Sequence, residues 1–208
     1  MYAITLFTII LAILHLRAEY TKNLTQIYIF KPLTTLSIIV LCLVQSPEVS
    51  LLYQYVVLTG LVFSLGGDVF LMFPSDQFIK GLVSFLLAHI CYIVAFSSEC
   101  GFRLHLVYIV PIIGIGSIIL RILLPHTGKM TAPVIVYSIV ILMMLWQALE
   151  RWGTVRSQSS ILAVLGAILF VVSDVILAYN RFVKPFKSAR LLNLSTYYCA
   201  QWLIALSV

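Results

Sequence analysis

"SLGGDVFLMFP", residues 64–74, sets an aspartate, Asp68, inside an apolar run that belongs in lipid. "VVSDVILAYN", residues 171–180, does the same with Asp174. A charged side chain at the centre of a membrane helix costs roughly 2.5–3.5 kcal/mol on insertion scales, so it faces the bundle interior or a water-filled cavity. Two such carboxylates in one chain point to a site within a membrane domain.

The rest of the sequence supports the membrane reading. Of 208 residues, 62% are hydrophobic and 10% charged, and the mean hydropathy is +1.10. A soluble domain is nearer half apolar and a quarter charged. A barrel would show alternating strands of about ten residues, whereas here long apolar runs fill the chain. The fold class is therefore an all-α integral membrane protein, a compact bundle of eight transmembrane helices forming one domain over residues 1–208. The spans run roughly over 2–16, 27–45, 50–73, 78–97, 104–124, 131–149, 159–180 and 191–207. No separate soluble domain and no cleaved leader are expected.

Charge gives the orientation. Arg17, Lys22, Lys31, Lys80, Arg121, Lys129, Arg181, Lys184, Lys187 and Arg190 lie around the loops after spans 1, 3, 5 and 7. Only Arg103, Arg151 and Arg156 lie around the others. The positive-inside rule puts the first group in the cytoplasm and both termini on the far side, in a bacterial inner membrane or an ER-like membrane. The net charge of +6 then belongs to loops facing anionic headgroups, not to nucleic acid. Cys42, Cys91, Cys100 and Cys199 show no metal-ligand spacing, and neither a disulfide nor zinc is expected. No protein partner is indicated.

The two aspartates sit in matched contexts. "GLVFSLGGDVFL" (60–71) and "GAILFVVSDVIL" (166–177) align without gaps, and in the same register Tyr92 falls opposite Tyr198. Two parallel four-helix halves would explain this echo. Gly60, Ser64, Gly67 and Asp68 share one face of span 3. Ala163, Gly166, Ala167, Phe170, Ser173 and Asp174 share one face of span 7. Small residues on those faces let neighbouring backbones approach. Asp68 lies six residues before Pro74 and Asp174 seven before Arg181. At 1.5 Å per residue both are roughly 9–10 Å inside the cytoplasmic edge, and the sequence suggests that they meet and share a proton.

Other polar groups accompany them. Phe85, His89, Tyr92 and Phe96 follow helical spacing on span 4. Tyr197 and Tyr198 precede Gln201 on span 8, Asn180 closes span 7, and Lys31 precedes Pro32 near the start of span 2. Each also has a structural reading: His89 as a bundle hydrogen bonder, the tyrosines as an interfacial belt, Lys31 as a snorkelling cation.

"FKPLTT", "SLGGDVFLMF…FIKGLVSFLLAHICYIVAF" and "GAILFVVSDVILAYNRF…YYCAQWLIALS" resemble the YhhN-like lysoplasmalogenase family, in order along nearly the whole chain. The resemblance implies an eight-span hydrolase that cleaves the vinyl ether bond of lysoplasmalogens. The products are a fatty aldehyde and glycerophosphoethanolamine or glycerophosphocholine. It implies Asp68 and Asp174 as the catalytic carboxylates. A vinyl ether is cut by protonating its alkene carbon and adding water to the oxocarbenium ion that results. Two carboxylates suit that chemistry, as in glycoside hydrolysis. Asp174 is the suggested acid and Asp68 the base, with no cofactor and no metal. Lys31 would take the phosphate, Phe85 and Phe96 would line an apolar groove, and His89, Tyr92, Asn180, Tyr197, Tyr198 and Gln201 would complete the lysophospholipid site. A small proton-coupled transporter using the aspartates as a relay is the alternative, and a lipid-binding protein without catalysis a third reading.

Overall fold

Polar side chains mark several helix starts. The Asn23 carboxamide oxygen accepts from the Gln26 amide, the Ser50 hydroxyl from Tyr53 and the Ser157 hydroxyl from Ser160. Each meets an amide left open by the first turn. In the computed structural model, which describes residues 1–73 and 75–208, eight helices follow: α1 (Tyr2–Thr21), α2 (Leu24–Val44), α3 (Leu51–Met72), α4 (Phe78–Ser97), α5 (Leu106–Leu123), α6 (Thr131–Val155), α7 (Gln158–Ala178) and α8 (Ala189–Leu206). Pro74, the sequence's mark for the depth of Asp68, lies outside the described residues.

Among the described residues, seven helices are long and apolar enough to cross a membrane, which makes this a multi-pass membrane protein. The eighth, α8, is as long as α5 but more polar, carrying Asn193, Ser195, Thr196 and Gln201. Two spans outrun their charge-defined limits. Helix α1 continues past Arg17 to a left-handed cap at Lys22 (φ 54°), and its Glu19 pairs with Arg190 at the foot of α8. Helix α6 continues through Glu150 and Arg151. Arg151 is fully buried there, 2.5 Å from Glu99, with its guanidinium over the Tyr53 ring. Charge that looked like a loop belongs to a buried network at the end opposite the aspartates.

Small residues set the helix packing. A Cβ on Gly166 would come within 3.0 Å of the Ala200 carbonyl oxygen and 3.2 Å of the Ile204 amide nitrogen, so α7 lies with its backbone against α8. A Cβ on Gly60 would run into the Tyr92 ring of α4 at 2.5 Å. The most extensive helix pairs are accordingly α3 with α4 and α7 with α8. Helices α3 and α7 are not extensive neighbours of each other. This decides how close the two aspartates come.

Candidate active site

Asp68 and Asp174 each lie four residues before the end of their helix, at the same end of the bundle. They are not hydrogen-bonded to each other among the described residues. Where the sequence suggested a shared proton, each carboxylate has its own set of partners, on helices that are not extensive neighbours.

Asp68 is 1% exposed. The Thr35 and Tyr197 hydroxyls both donate to its Oδ2, at 2.6 and 2.7 Å, and the Lys31 Nζ lies 3.5 Å from Oδ1. Two donors and a cation are what a buried carboxylate requires. Lys31 is itself buried. The sequence offered it a substrate phosphate or the lipid headgroups; in the folded chain its ammonium lies inside the bundle beside Asp68.

Asp174 accepts from the Tyr137 hydroxyl, and its Oδ2 is 3.6 Å from the His89 Nε2. That nitrogen also lies 2.9 Å from the Tyr137 oxygen. Because the Tyr137 hydroxyl donates to Asp174, its oxygen accepts from the His89 Nε2–H, and the buried His89 Nδ1 is left without a hydrogen-bond partner in the described structure.

An aromatic wall separates the two clusters. Phe170 packs edge-on against His89, with ring centroids 4.6 Å apart, and against Tyr197 at 5.5 Å. Phe85 meets Tyr197 at 5.8 Å. Gly67 makes room for Phe85: a Cβ there would sit 2.5 Å from its ring.

The two carboxylates also differ in access. The Asp174 side chain is 16% exposed and stands in the wall of an apolar cleft. Phe85, Leu82 and Phe78 from α4, Ile119 and Leu123 from α5, and Ile141 and Leu142 from α6 line that cleft. The enclosed part of the cleft is narrow, about 60 Å³. Asp68 does not line it. Phe85 takes the lining role expected of it. Phe96 does not: it is fully buried against Tyr53 and Tyr92.

The remaining candidates divide. The Tyr92 hydroxyl donates to the Gln201 Oε1 at 3.3 Å and lies 3.5 Å from the Ser64 hydroxyl, one turn from Asp68. Tyr198 turns away to the His15 Nδ1, at 2.8 Å. Asn180 is not drawn into the cluster; its side chain accepts from the Phe186 amide in the loop before α8. Two residues absent from the sequence-based set are now prominent, Thr35 and Tyr137. Thr35 was within reach, being one helical turn after Lys31 in "FKPLTT". Tyr137 lay in a stretch of α6 with no motif to mark it.

Comparison with known proteins follows the same outline. Lysoplasmalogenase TMEM86A of Bos taurus is 37% identical over 157 residues, which are 73% of this chain and 64% of that protein. Lysoplasmalogenase TMEM86B of Homo sapiens is 36% identical over 156 residues, 74% of this chain and 64% of that protein. The chain thus spans less than two thirds of the length of these two curated relatives. The uncharacterized membrane protein YhhN of Escherichia coli O157:H7 is 25% identical over 191 residues, 92% of this chain and 91% of that protein. No solved structure matches. The model of the YhhN family matches residues 26–208, which hold both aspartates and every one of their partners; the chain belongs to the YhhN family.

Proposed function

We propose that this protein is a lysoplasmalogenase, a membrane hydrolase that splits the vinyl ether of a single-chain phospholipid into a fatty aldehyde and a glycerophosphodiester. The observation that carries this reading is the Asp174 carboxyl in the wall of an apolar cleft. A hydrocarbon chain entering that apolar cleft would bring its first two carbons beside an acid. The names of the relatives at 36–37% identity agree with it.

The chemistry closes on one carboxyl group. The Asp174 carboxylic acid gives its proton to the alkene carbon, and the adjacent carbon becomes an oxocarbenium centre. Water adds there, and the Asp174 carboxylate takes the proton that the water loses. The hemiacetal then collapses, its hydroxyl losing a proton as the glycerol oxygen gains one, to aldehyde and alcohol. Acid and base duties alternate on a single residue, so no proton has to cross the aromatic wall. In this reading Tyr137 and His89 hold Asp174 in place. Asp68 fixes Lys31, Thr35 and Tyr197 behind Phe85 and Phe170 instead of serving as the base the sequence suggested. The cluster end faces the cytoplasm and both termini face away from it, in keeping with the basic loops.

Aldehyde release from lysoplasmalogen by the purified protein in detergent tests the proposal. A hydrolase works without a sealed membrane, whereas a carrier needs two compartments. Activity retained in Asp174→Asn, with the bundle intact, would overturn the carboxyl mechanism. Absence of aldehyde from the wild type would overturn the function.

A further inference from the structure

The apolar cleft does not end at its rim. Leu71 and Phe78, which line the cleft, also line a polar recess beside it, with Asp76, Gln77 and Arg181. A cleft for a hydrocarbon chain that continues into a recess holding a guanidinium has the outline of an amphiphile.

Arg181 is built into this corner. After α7 the chain makes a five-residue π-turn, Tyr179–Val183, a wide turn that often marks functional sites. It brings Arg181 and Phe182 onto α4: Phe182 packs edge-on against Phe78 at 5.8 Å, and the Arg181 guanidinium stacks 3.9 Å from the centroid of the Phe78 ring. The Arg181 Nη2 donates to the Asp76 Oδ2 at 2.7 Å. The side chain is still 36% exposed, and that of Asp76 is 70% exposed. The guanidinium is thus held flat by an aromatic face and occupied by an exposed carboxylate that an incoming anion can replace. The hydrogen bond from Arg181 keeps the Asp76 carboxyl below the usual carboxylate range. Lys31, the other cation considered for an anionic headgroup, is committed to Asp68.

We propose that Arg181 is the ligand for the substrate's phosphodiester, and that Asp76 occupies it when no lipid is bound. The proposal rests on the lysolipid reading above and adds the headgroup contact. The spacing agrees. Seven residues separate Asp174 from Arg181, about 10 Å of helical rise. Seven bonds separate the phosphorus of a lysoplasmalogen from the alkene carbon that takes the proton, about 8–9 Å when extended. Planar, bidentate recognition of phosphate is the task for which arginine differs from lysine.

The test compares two substrates, alkenyl-lysophosphoethanolamine and phosphate-free 1-alkenylglycerol, with wild-type protein, Arg181→Gln and Asp76→Asn in detergent. Arg181→Gln should raise KM for the phosphorylated substrate about ten- to hundredfold, the usual range for a hydrogen bond to a charged group. It should leave kcat within about twofold and KM for alkenylglycerol unchanged. Asp76→Asn, which frees the guanidinium, should lower KM for the phosphorylated substrate alone. A structural role for Arg181 would move both substrates alike, and that result overturns the proposal. A binding arm uses the saturated 1-alkyl lysophospholipid, which has no vinyl ether to cleave. If the wild type releases no aldehyde from either substrate, the hydrolase reading fails. Binding of the alkyl lipid then still supports the Arg181 site if Arg181→Gln weakens it, and overturns it if not. Inorganic phosphate separates the two sources of the anion. Competition by millimolar phosphate as strong as that by the lysolipid would overturn a lipid headgroup in favour of a free anion. No competition supports the lipid.

Discussion

Lys31→Met isolates the first cluster. The Lys31 and Asp68 side chains are 10% and 2% exposed and 3.5 Å apart. At an effective dielectric of about 20, charges at that distance attract by about 5 kcal/mol. Removing one partner of a buried pair costs about 3–5 kcal/mol, because the other charge stays buried without compensation. Asp68 keeps its Thr35 and Tyr197 donors, so the lower figure applies, about 3 kcal/mol. In a chain of this size, about 3 kcal/mol corresponds to a fall in Tm of about 6–12 °C. The assay is thermal unfolding in detergent, followed by the fluorescence of Trp146, Trp152 and Trp202. Asp68→Asn should cost a similar amount by leaving the ammonium unpaired. The double variant Lys31→Met/Asp68→Asn removes both charges and should recover about 2 kcal/mol relative to the sum of the singles. Strictly additive costs, or a Lys31→Met protein that melts within about 2 °C of the wild type, would refute the inward pairing. Lys31 would then face the headgroups, as its place in the sequence suggested.

Four further outcomes follow from the geometry. Asp174→Asn should lower kcat for aldehyde release by at least about 100-fold, the smaller end of what a positioned acid supplies, with unfolding measured in parallel to show an intact bundle. Tyr137→Phe should lower kcat by about tenfold, the worth of one hydrogen bond to a charged group, with KM nearly unchanged in steady-state assays. Gly166→Ala should destabilise by about 1–3 kcal/mol, because its Cβ meets backbone atoms of α8 that cannot move aside. Gly114→Ala on α5 has nothing within 4 Å of its Cβ and should stabilise by up to about 1 kcal/mol through helix propensity. Thermal melts of the two alanine variants should therefore shift in opposite directions.

The helices were legible because the periodicity and length of apolar runs are local properties. Asp68 and Asp174 were legible because carboxylates in lipid are expensive and seldom incidental. What failed was pairwise geometry. Both aspartates occupy the same depth, but depth does not say which helices touch, and α4 and α8 take the places beside α3 and α7. Lys31 next to Pro32 had two outlets, the headgroups or the core, and only the position of Asp68 chooses between them. Arg151 was counted with the loops because its partner, Glu99, is 52 residues away in sequence. Tyr137 carries no motif; its importance comes entirely from meeting Asp174 and His89.

The internal echo accounts for the position of Tyr137 as well. An offset of 106 residues takes Asp68 to Asp174, Tyr92 to Tyr198 and Lys31 to Tyr137. The packing keeps the same offset: α2 lies on α3 as α6 lies on α7, α3 on α4 as α7 on α8, and α8 returns to α2 as α4 does to α6. Each aspartate consequently draws a hydroxyl donor from the helix before its own and a further partner from the last helix of the other half, Thr35 with Tyr197 and Tyr137 with His89. The frame is repeated, but its chemistry is not. At the matched position one half places an ammonium beside its carboxylate and the other a phenol. Only the second carboxylate opens on the cleft. A duplicated pair of identical acids would give two equivalent sites. The matched positions thus leave one carboxylate, Asp68, paired with an ammonium and the other, Asp174, on the cleft; under the mechanism proposed above, the proton transfer falls to Asp174.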